Sequence, residues 1–210
     1  LMARSIQRDI PERMKDALRR VEGAFSVIAM TRTKLIGVRD PLGVRPLVLG
    51  RIGDGWALSS ETCGLDIIGA EFVREVEAGE MVVISESGVL ESFRPFAPMK
   101  PRFCIFEHVY FSRPDSILGG RSVYETRRQI GVELAREAPV EADLVCPVPD
   151  SGTPAAIGFS QESGIPYAMG IIRNQYMGRT FIEPTEQIRN CLLYTSDAAD
   201  EKDSVDARRS

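Results

Sequence analysis

The spacing of apolar residues changes in the middle of this chain, and the change restricts the folds that the chain can adopt. Residues 24–93 hold short apolar runs separated by turn-forming residues, a pattern typical of antiparallel strands joined by hairpins. Pro98 and Pro101 then indicate a linker. Residues 123–172 follow the order helix, strand, loop, helix and strand, which favours a parallel βαβ unit with a right-handed crossover. The sequence therefore predicts a strand-rich region followed by an α/β region.

The first region is predicted to begin with a helix and to continue as strands. The helix covers residues 10–21, with Asp9 as its N-cap, Pro11 in its first turn and Gly23 after its end. Apolar residues at helical spacing give it one buried face. The predicted strands are residues 24–31, 34–39, 46–50, 56–59, 73–76, 80–85 and 89–93, and residues 61–69 are predicted to form a short helix.

The second region is predicted to contain two helices and two parallel strands. The helices cover residues 123–138 and 154–163, and Gly164 ends the second of them. The strands cover residues 144–148 and 167–172. The carboxyl ends of neighbouring parallel strands meet at one sheet edge, where open α/β sheets bind their ligands.

Composition is ordinary for a folded protein and argues against several classes. Hydrophobic residues make up 43% of the chain and charged residues 27%. The apolar runs are too short to cross a bilayer, and a net charge of −4 gives no general attraction to nucleic acids or anionic membranes. The cysteines are widely spaced and form no CxxC pair, so we expect free thiols in a cytoplasmic protein. They are Cys63, Cys104, Cys146 and Cys191.

An anion-binding loop is predicted where the first of these strands meets the second helix. Residues 145–149 are mostly apolar, and Asp150, Ser151, Gly152 and Thr153 follow them. Backbone amides at a helix N-terminus, together with the two hydroxyls, can hold phosphate or pyrophosphate. The alternative is that Ser151 and Thr153 only cap the helix, which such residues commonly do.

A second candidate site follows the next strand. Arg173 and Arg179 could clamp phosphate oxygens in a bidentate manner, and Tyr176 between them could stack on a ribose or a base. The alternative is a solvated loop with incidental arginines. If both candidate loops bind one ligand, they should meet at the same sheet edge.

Two further groups of polar residues have structural explanations. Residues 103–110 are interpreted as a core strand, followed by a turn in which Arg113 and Asp115 pair, with His108 as a structural histidine. Residues 39–45 are interpreted as a turn held by ion pairs among Arg39, Asp40 and Arg45.

Three segments carry a specific family resemblance. VRDPLGVRPL at residues 38–47, FEHVYFSRPDS at 106–116 and YMGRTFI at 176–182 resemble, in this order, segments of glutamine-dependent amidophosphoribosyltransferases. The resemblance covers about residues 1–190. It implies a combined α+β and α/β fold: the C-terminal part of an N-terminal-nucleophile (αββα) glutaminase domain at residues 1–97, then the first part of a type I phosphoribosyltransferase α/β domain at 98–190.

The resemblance also implies an activity. The family makes 5-phosphoribosylamine, glutamate and pyrophosphate from phosphoribosyl pyrophosphate (PRPP), glutamine and water, with Mg²⁺, in the first step of purine synthesis. It implies purine nucleotides as feedback inhibitors and a homo-oligomer, a dimer or tetramer, with no nucleic-acid or membrane partner. The alternatives are a non-catalytic nucleotide- or phosphate-binding regulatory protein, or another phosphoribosyltransferase, which would leave residues 1–95 without a role.

Site residues carry over position by position. Asp150, Ser151, Gly152 and Thr153 resemble the pyrophosphate-binding loop of the family. The start of the flexible loop that closes over PRPP matches Arg173, Tyr176, Arg179 and Thr180. Arg173 stands where some members have lysine. Cys104 lies near the first cysteine that binds a [4Fe–4S] cluster in some members, and the alternative for Cys104 is a buried thiol.

Departures from the family pattern lower the activity that we expect of this chain. The chain begins Leu1-Met2-Ala3, without the N-terminal cysteine nucleophile, and no paired-aspartate phosphate loop follows Ile182. We therefore assign no catalytic residue and expect neither half-reaction from the chain alone. Residues 191–210 leave the family pattern and resemble translated sequencing-adapter read-through, the alternative being a disordered tail. We expect residues 197–210 not to pack.

Overall fold

A computed structural model describes residues 1–172 of the chain, and residues Leu1–Gly170 form one compact unit. A 3-10 turn at Met2–Arg4 precedes the first helix. The elements of the first region are α1 (Ile10–Leu18), β1 (Ser26–Met30), β2 (Lys34–Arg39), β3 (Val48–Ile52), β4 (Gly55–Ser59), α2 (Thr62–Ile67), β5 (Glu71–Glu75), β6 (Met81–Ser85) and β7 (Leu90–Phe93). A π-helix (Glu107–Phe111), β8 (Ile117–Leu118), β9 (Arg121–Ser122), α3 (Val123–Glu137) and α4 (Thr153–Ser163) follow.

The first region has four layers, in the order helix, sheet, sheet, helix. One antiparallel sheet has the strand order β1-β2-β6-β7, and the other has the order β4-β3-β5. Alternate residues of β2 and β6 face α1, where Ile36, Val38 and Val83 pack around Met14. Val82 points to the opposite face and packs against the second sheet. This layering confirms the αββα arrangement that the family resemblance implies.

The second sheet completes the layering with α2 on its outer face. Val48 packs against Leu65 of α2, and both side chains are buried. Between the sheets, Gly37 makes room for Leu58, since a Cβ atom at Gly37 would lie 2.8 Å from the Leu58 Cδ1. Strand β6 is covered by α1 on one face and by the second sheet on the other, which explains its continuous apolar run. Each fully buried side chain of this kind contributes about 1.5–3 kcal/mol to folding.

In place of the two parallel strands predicted for the second region, the structure has a single parallel bridge. Val145 pairs in parallel with Tyr167, and the Val145 amide donates to the Pro166 carbonyl at 2.8 Å. The parallel direction is therefore confirmed, but the predicted lengths, residues 144–148 and 167–172, are wrong. Strands of a parallel sheet are normally buried on both faces, whereas Val148 is 69% exposed and Met169 53%. The apolar residues on either side of the bridge are therefore not buried, and the strand pairing does not extend beyond Val145 and Tyr167.

The predicted core strand at residues 103–110 is also wrong, because a π-helix occupies Glu107–Phe111. The Ser112 amide donates to the Glu107 carbonyl at 3.1 Å, the spacing of a π-helix. Arg127 of α3 stabilises the turn by donating to the carbonyls of His108 and Ser112. The predicted Arg113–Asp115 pair is confirmed, with nitrogen and oxygen 3.0 Å apart.

Most other elements form where the sequence predicts them. Helix α1 begins after Asp9 but ends at Leu18, three residues early. The strand predicted at 46–50 begins at Val48, because Pro46 has no amide to donate. The boundary near residue 97 stays a prediction. Within residues 1–172, no helix combines the length and the apolarity needed to cross a bilayer.

Candidate functional site

The loop at residues 149–153 connects the parallel bridge to the start of α4. The Gly152 amide donates to the Val148 carbonyl at 3.2 Å, and the Thr153 amide donates to the Asp150 carbonyl at 3.3 Å. The peptide bond between Pro149 and Asp150 is cis. These bonds fold the loop tightly against the first turn of α4, as the sequence predicts for a strand–loop–helix connection.

The two hydroxyls of the loop do not cap the helix. Gly152 is the N-cap residue of α4, and no side chain makes a capping hydrogen bond there. Ser151 and Thr153 are half-buried. The alternative in which these residues serve only as caps is therefore wrong. The hydroxyls and the positive end of an 11-residue helix remain suited to an anion.

Gly152 is required by a close approach inside the loop. A Cβ atom at this position would lie 2.7 Å from the Val148 carbonyl oxygen. A larger residue would therefore push the loop away from the bridge. The identity of this glycine follows from the loop geometry, independently of any ligand.

Helix α4 is held in place by a tight crossing with α3. A Cβ atom at Gly131 would lie 1.9 Å from the Ala155 carbonyl oxygen, and one at Gly158 would lie 1.9 Å from the Arg128 carbonyl oxygen. At the exposed end of the crossing, Arg136 pairs with Glu162 at 2.8 Å. The backbones therefore touch directly, which fixes the direction of α4 and the place of the loop.

The second predicted group lies outside the described residues. It comprises Arg173, Tyr176, Arg179 and Thr180. The convergence of this group with the loop at 150–153 stays a prediction. Residues 197–210 also lie outside the described part, so the expectation that they do not pack stays a prediction as well.

The turn at residues 39–45 is held mainly by charged side chains bonded to the backbone. Arg39, 7% exposed, donates to the carbonyls of Arg45, Gly43 and Val76. The buried Asp40 carboxylate accepts the amides of Leu42 and Val44. The predicted ion pairs among Arg39, Asp40 and Arg45 are therefore wrong. Buried charges must be compensated, and here carbonyls and amides of the turn compensate them. Arg39 also contacts Glu75 at 3.4 Å.

His108 does not fit the prediction of a satisfied structural histidine. Its Nδ1 is buried and has no hydrogen-bond partner among the described residues. Burial lowers the pKa of His108, and the nearby charges of Arg121 and Arg127 lower it further. The ring packs against Phe103, with centroids 5.2 Å apart. Burial and these positive charges therefore disfavour the charged imidazolium.

Three side-chain acceptors that the sequence did not reveal join the two regions. Glu61 accepts the amide of Arg113 at 2.8 Å, Thr62 accepts that of Ile117 at 2.9 Å, and Glu75 accepts that of Gly119 at 2.7 Å. Glu61 also accepts the Ser116 hydroxyl at 2.7 Å. Donors and acceptors are separated by 44 to 55 residues, so no local pattern marks them.

Cys104 is half-buried and is not joined to another cysteine. Across residues 1–172, no three His, Cys, Asp or Glu side chains form a group that could hold a metal ion. The described residues therefore do not supply the four thiolates that a [4Fe–4S] cluster needs. The role of Cys104 as a cluster ligand stays a prediction.

Comparison with known proteins identifies the family. A model of the glutamine amidotransferase domain matches residues 2–66. An amidophosphoribosyltransferase of Rhizobium etli is 56% identical over 193 residues, covering 90% of this chain. One from Synechococcus elongatus is 54% identical over 180 residues, covering 84% of the chain. The chain belongs to the amidophosphoribosyltransferase family. It spans 39% of the length of the first relative and 36% of the second.

A solved structure of the family supports the same conclusion for the fold. A glutamine PRPP amidotransferase from B. subtilis, complexed with ADP and GMP, matches with a TM-score of 0.80 and 43% identity. The match covers 90% of this chain and 42% of that one. The likeness in fold therefore extends well beyond residues 2–66, which the glutamine amidotransferase model matches.

Proposed function

We propose that this chain is the part of an amidophosphoribosyltransferase that joins glutamine hydrolysis to transfer onto PRPP. The whole enzyme would form 5-phosphoribosylamine, glutamate and pyrophosphate from PRPP, glutamine and water. The observation that carries the proposal is the loop at Asp150–Thr153, with two hydroxyls free of capping at the N-terminus of α4. The relatives named above support it against a regulatory phosphate-binding protein or another phosphoribosyltransferase.

The loop would hold the pyrophosphate group of PRPP. Backbone amides and the hydroxyls of Ser151 and Thr153 would bond its oxygens, and the helix dipole would stabilise the charge that grows on the leaving group. Arg173, Tyr176, Arg179 and Thr180 would close over the substrate and exclude water, which protects the reacting centre from hydrolysis. Catalysis would come mainly from positioning and charge stabilisation.

Mg²⁺ would arrive with the substrate. It is usually bound by one or two carboxylates together with substrate phosphates rather than by a cage of protein ligands. The metal would neutralise pyrophosphate charge, and Asp150 is the exposed carboxylate of the loop.

Other parts of the activity are proposed for the whole enzyme. The glutaminase nucleophile and the paired-aspartate phosphate loop are assigned to sequence that this chain does not contain. Purine nucleotides as inhibitors, a homo-oligomeric state and a cytoplasmic location are proposed in the same way. The B. subtilis enzyme, solved with ADP and GMP, supports the nucleotide part.

A substitution in the loop tests the proposed site. We would build a chimera in which the aligned part of this chain replaces the matching segment of the R. etli enzyme. In this chimera, Gly152→Ala is expected to raise the KM for PRPP about tenfold, a loss of about 1.4 kcal/mol, because the added Cβ displaces the loop. Steady-state pyrophosphate release measures the effect.

Gly164→Ala is the matched control. Gly164 ends α4 with a φ of 74°, so alanine there strains the far end of the same helix. It should lower stability and leave the KM for PRPP unchanged. Equal KM values for the Gly152→Ala variant and the parent chimera would argue against the loop as the pyrophosphate site. A parent chimera that neither hydrolyses glutamine nor consumes PRPP would overturn the proposed function.

A further inference from the structure

An ion pair between a buried glutamate and a half-exposed arginine lies where the layered region meets the helical region. Glu107 is 1% exposed, and its Oε1 lies 2.5 Å from the guanidinium of Arg45. Its Oε2 accepts the Ser112 hydroxyl at 2.9 Å. Arg45 follows the turn after β2, whereas Glu107 begins the π-helix that leads toward α3. The pair therefore joins two elements that are distant in sequence.

The pair depends closely on the position of the π-helix. No N–H group is aligned on Glu107 Oε1, although Arg45 is within ion-pair distance. Arg45 and the Oε1 of Glu107 therefore attract each other as opposite charges at short range, without a well-directed hydrogen bond. The Arg45 guanidinium also lies 4.7 Å from the centroid of the Phe111 ring, a cation–π contact. A small shift of the π-helix would leave a buried carboxylate poorly compensated, which is costly.

The other side of the π-helix is fixed to α3. Arg127, 3% exposed, donates to the His108 carbonyl at 2.5 Å and to the Ser112 carbonyl at 2.7 Å. Helix α3 in turn crosses α4 with backbone contact at Gly131. A continuous set of contacts therefore runs from Arg45 through Glu107 and Arg127 to the helix that carries the anion loop.

We propose that Arg45 and Glu107 are positioning residues that couple glutamine hydrolysis to PRPP use. This inference rests on the proposed function, since it concerns the link between its two half-reactions. Hydrolysis of glutamine by water yields glutamate and ammonia, and the ammonia displaces pyrophosphate from PRPP. Ammonia that leaves the enzyme is lost to the second step. The pair fixes the position of the glutaminase-type layers relative to the loop at 150–153. Each ammonia released from glutamine is then used to displace one pyrophosphate.

Measurement of both products in one reaction tests the coupling. In the chimera described above, glutamate and pyrophosphate should form in equal amounts. In Glu107→Gln and Arg45→Gln variants, the ratio of glutamate to pyrophosphate is expected to rise about fivefold or more. With ammonia as the nitrogen source, pyrophosphate release should change by less than about twofold, because the transfer site itself is intact. A purely structural loss would lower both rates together and leave the ratio unchanged.

Glu125→Gln is the matched control, since Glu125 pairs with Arg128 on the exposed side of α3. It should keep the two products equal. The double variant Arg45→Gln/Glu107→Gln, which leaves no unpaired charge, should be no more uncoupled than Glu107→Gln alone, because residues of one pair are not additive. The double variant also tests the coupling if a single variant does not fold.

Equal product amounts in the Glu107→Gln variant, or in the double variant where the single does not fold, would overturn the coupling role while leaving the proposed function intact. Additive effects in the double variant would show that Arg45 and Glu107 do not act as a pair. A parent chimera without either half-reaction would instead count against the proposed function.

Discussion

Replacement of Gly131 by alanine is expected to destabilise the chain by about 3 kcal/mol or more, at the top of the usual range for overpacking. The added Cβ would lie 1.9 Å from the Ala155 carbonyl oxygen. The obstructing atom belongs to a helix backbone, so it cannot move aside as a flexible side chain can. Helices α3 and α4 would have to separate, with loss of packing along the whole crossing. The gain in helix propensity from glycine to alanine, about 1 kcal/mol, is too small to offset this.

Urea unfolding of the 210-residue chain measures the loss. Gly158→Ala should behave similarly, because its Cβ would meet the Arg128 carbonyl at the same distance. Glu137→Ala, at the exposed end of α3, introduces the same residue without a clash and should change stability by less than about 0.5 kcal/mol. A Gly131→Ala variant as stable as the parent would mean that the two helices do not cross with their backbones in contact.

Protonation of one carboxylate, Glu80, at low pH is expected to lower the free energy of unfolding by about 3 kcal/mol. Burial raises the pKa of Glu80, but hydrogen bonds from Arg74, Ser92 and the Glu77 amide outweigh it and lower the pKa to about 2. Arg74 donates to both carboxylate oxygens, at 2.7 and 2.8 Å. The side chain of Glu80 is only 2% exposed, so solvent screens these bonds little.

The direction of the pH dependence follows from the lowered pKa. The unfolded chain takes up the proton near pH 4.5 and the folded chain only near pH 2. The contribution of Glu80 is therefore complete above about pH 4.5, falls as the pH drops between these values, and is absent below about pH 2.

Denaturant unfolding of the parent and of Glu80→Gln at several pH values checks this prediction. The variant should be less stable by about 3 kcal/mol at pH 7, and the difference should vanish as the pH approaches 2. Glu12→Gln, which removes an exposed pair with Lys15, should cost at most about 1 kcal/mol at any pH. A difference between parent and Glu80→Gln that stays constant from pH 7 to pH 2.5 would contradict the assignment.

Local patterns in the sequence were sufficient for elements that depend on neighbouring residues. The apolar run at residues 80–85 predicted the strand that became β6, and the break before the next predicted strand at 89–93 holds the turn in which Gly88 has a φ of 78°. Gly164 likewise predicted the end of α4. In each of these cases the residues that determine the conformation lie within a few positions of each other.

Elements that depend on distant partners were not predictable. Residues 103–110, rich in apolar and aromatic side chains, were interpreted as a core strand, but Arg127 supplies donors from α3 that favour a π-helix instead. Glu107 gave no local sign that its partner would be Arg45. Composition alone indicated the loop at residues 150–153, and its binding of an anion stays a prediction. Only the structure shows that the N-cap of α4 is Gly152 rather than a hydroxyl residue.

The contact between the layered region and the helical region depends on side chains from one partner only. These side chains are the three acceptors Glu61, Thr62 and Glu75. Their partners at residues 113, 117 and 119 contribute main-chain amides, which every residue except proline possesses. The side chains at residues 113 and 117 can therefore change without loss of these bonds, whereas residue 119 is a glycine with a φ of 54°, a conformation that favours glycine. A single substitution at Glu61, Thr62 or Glu75 removes a bond outright, so purifying selection should act on one surface of the contact far more strongly than on the other.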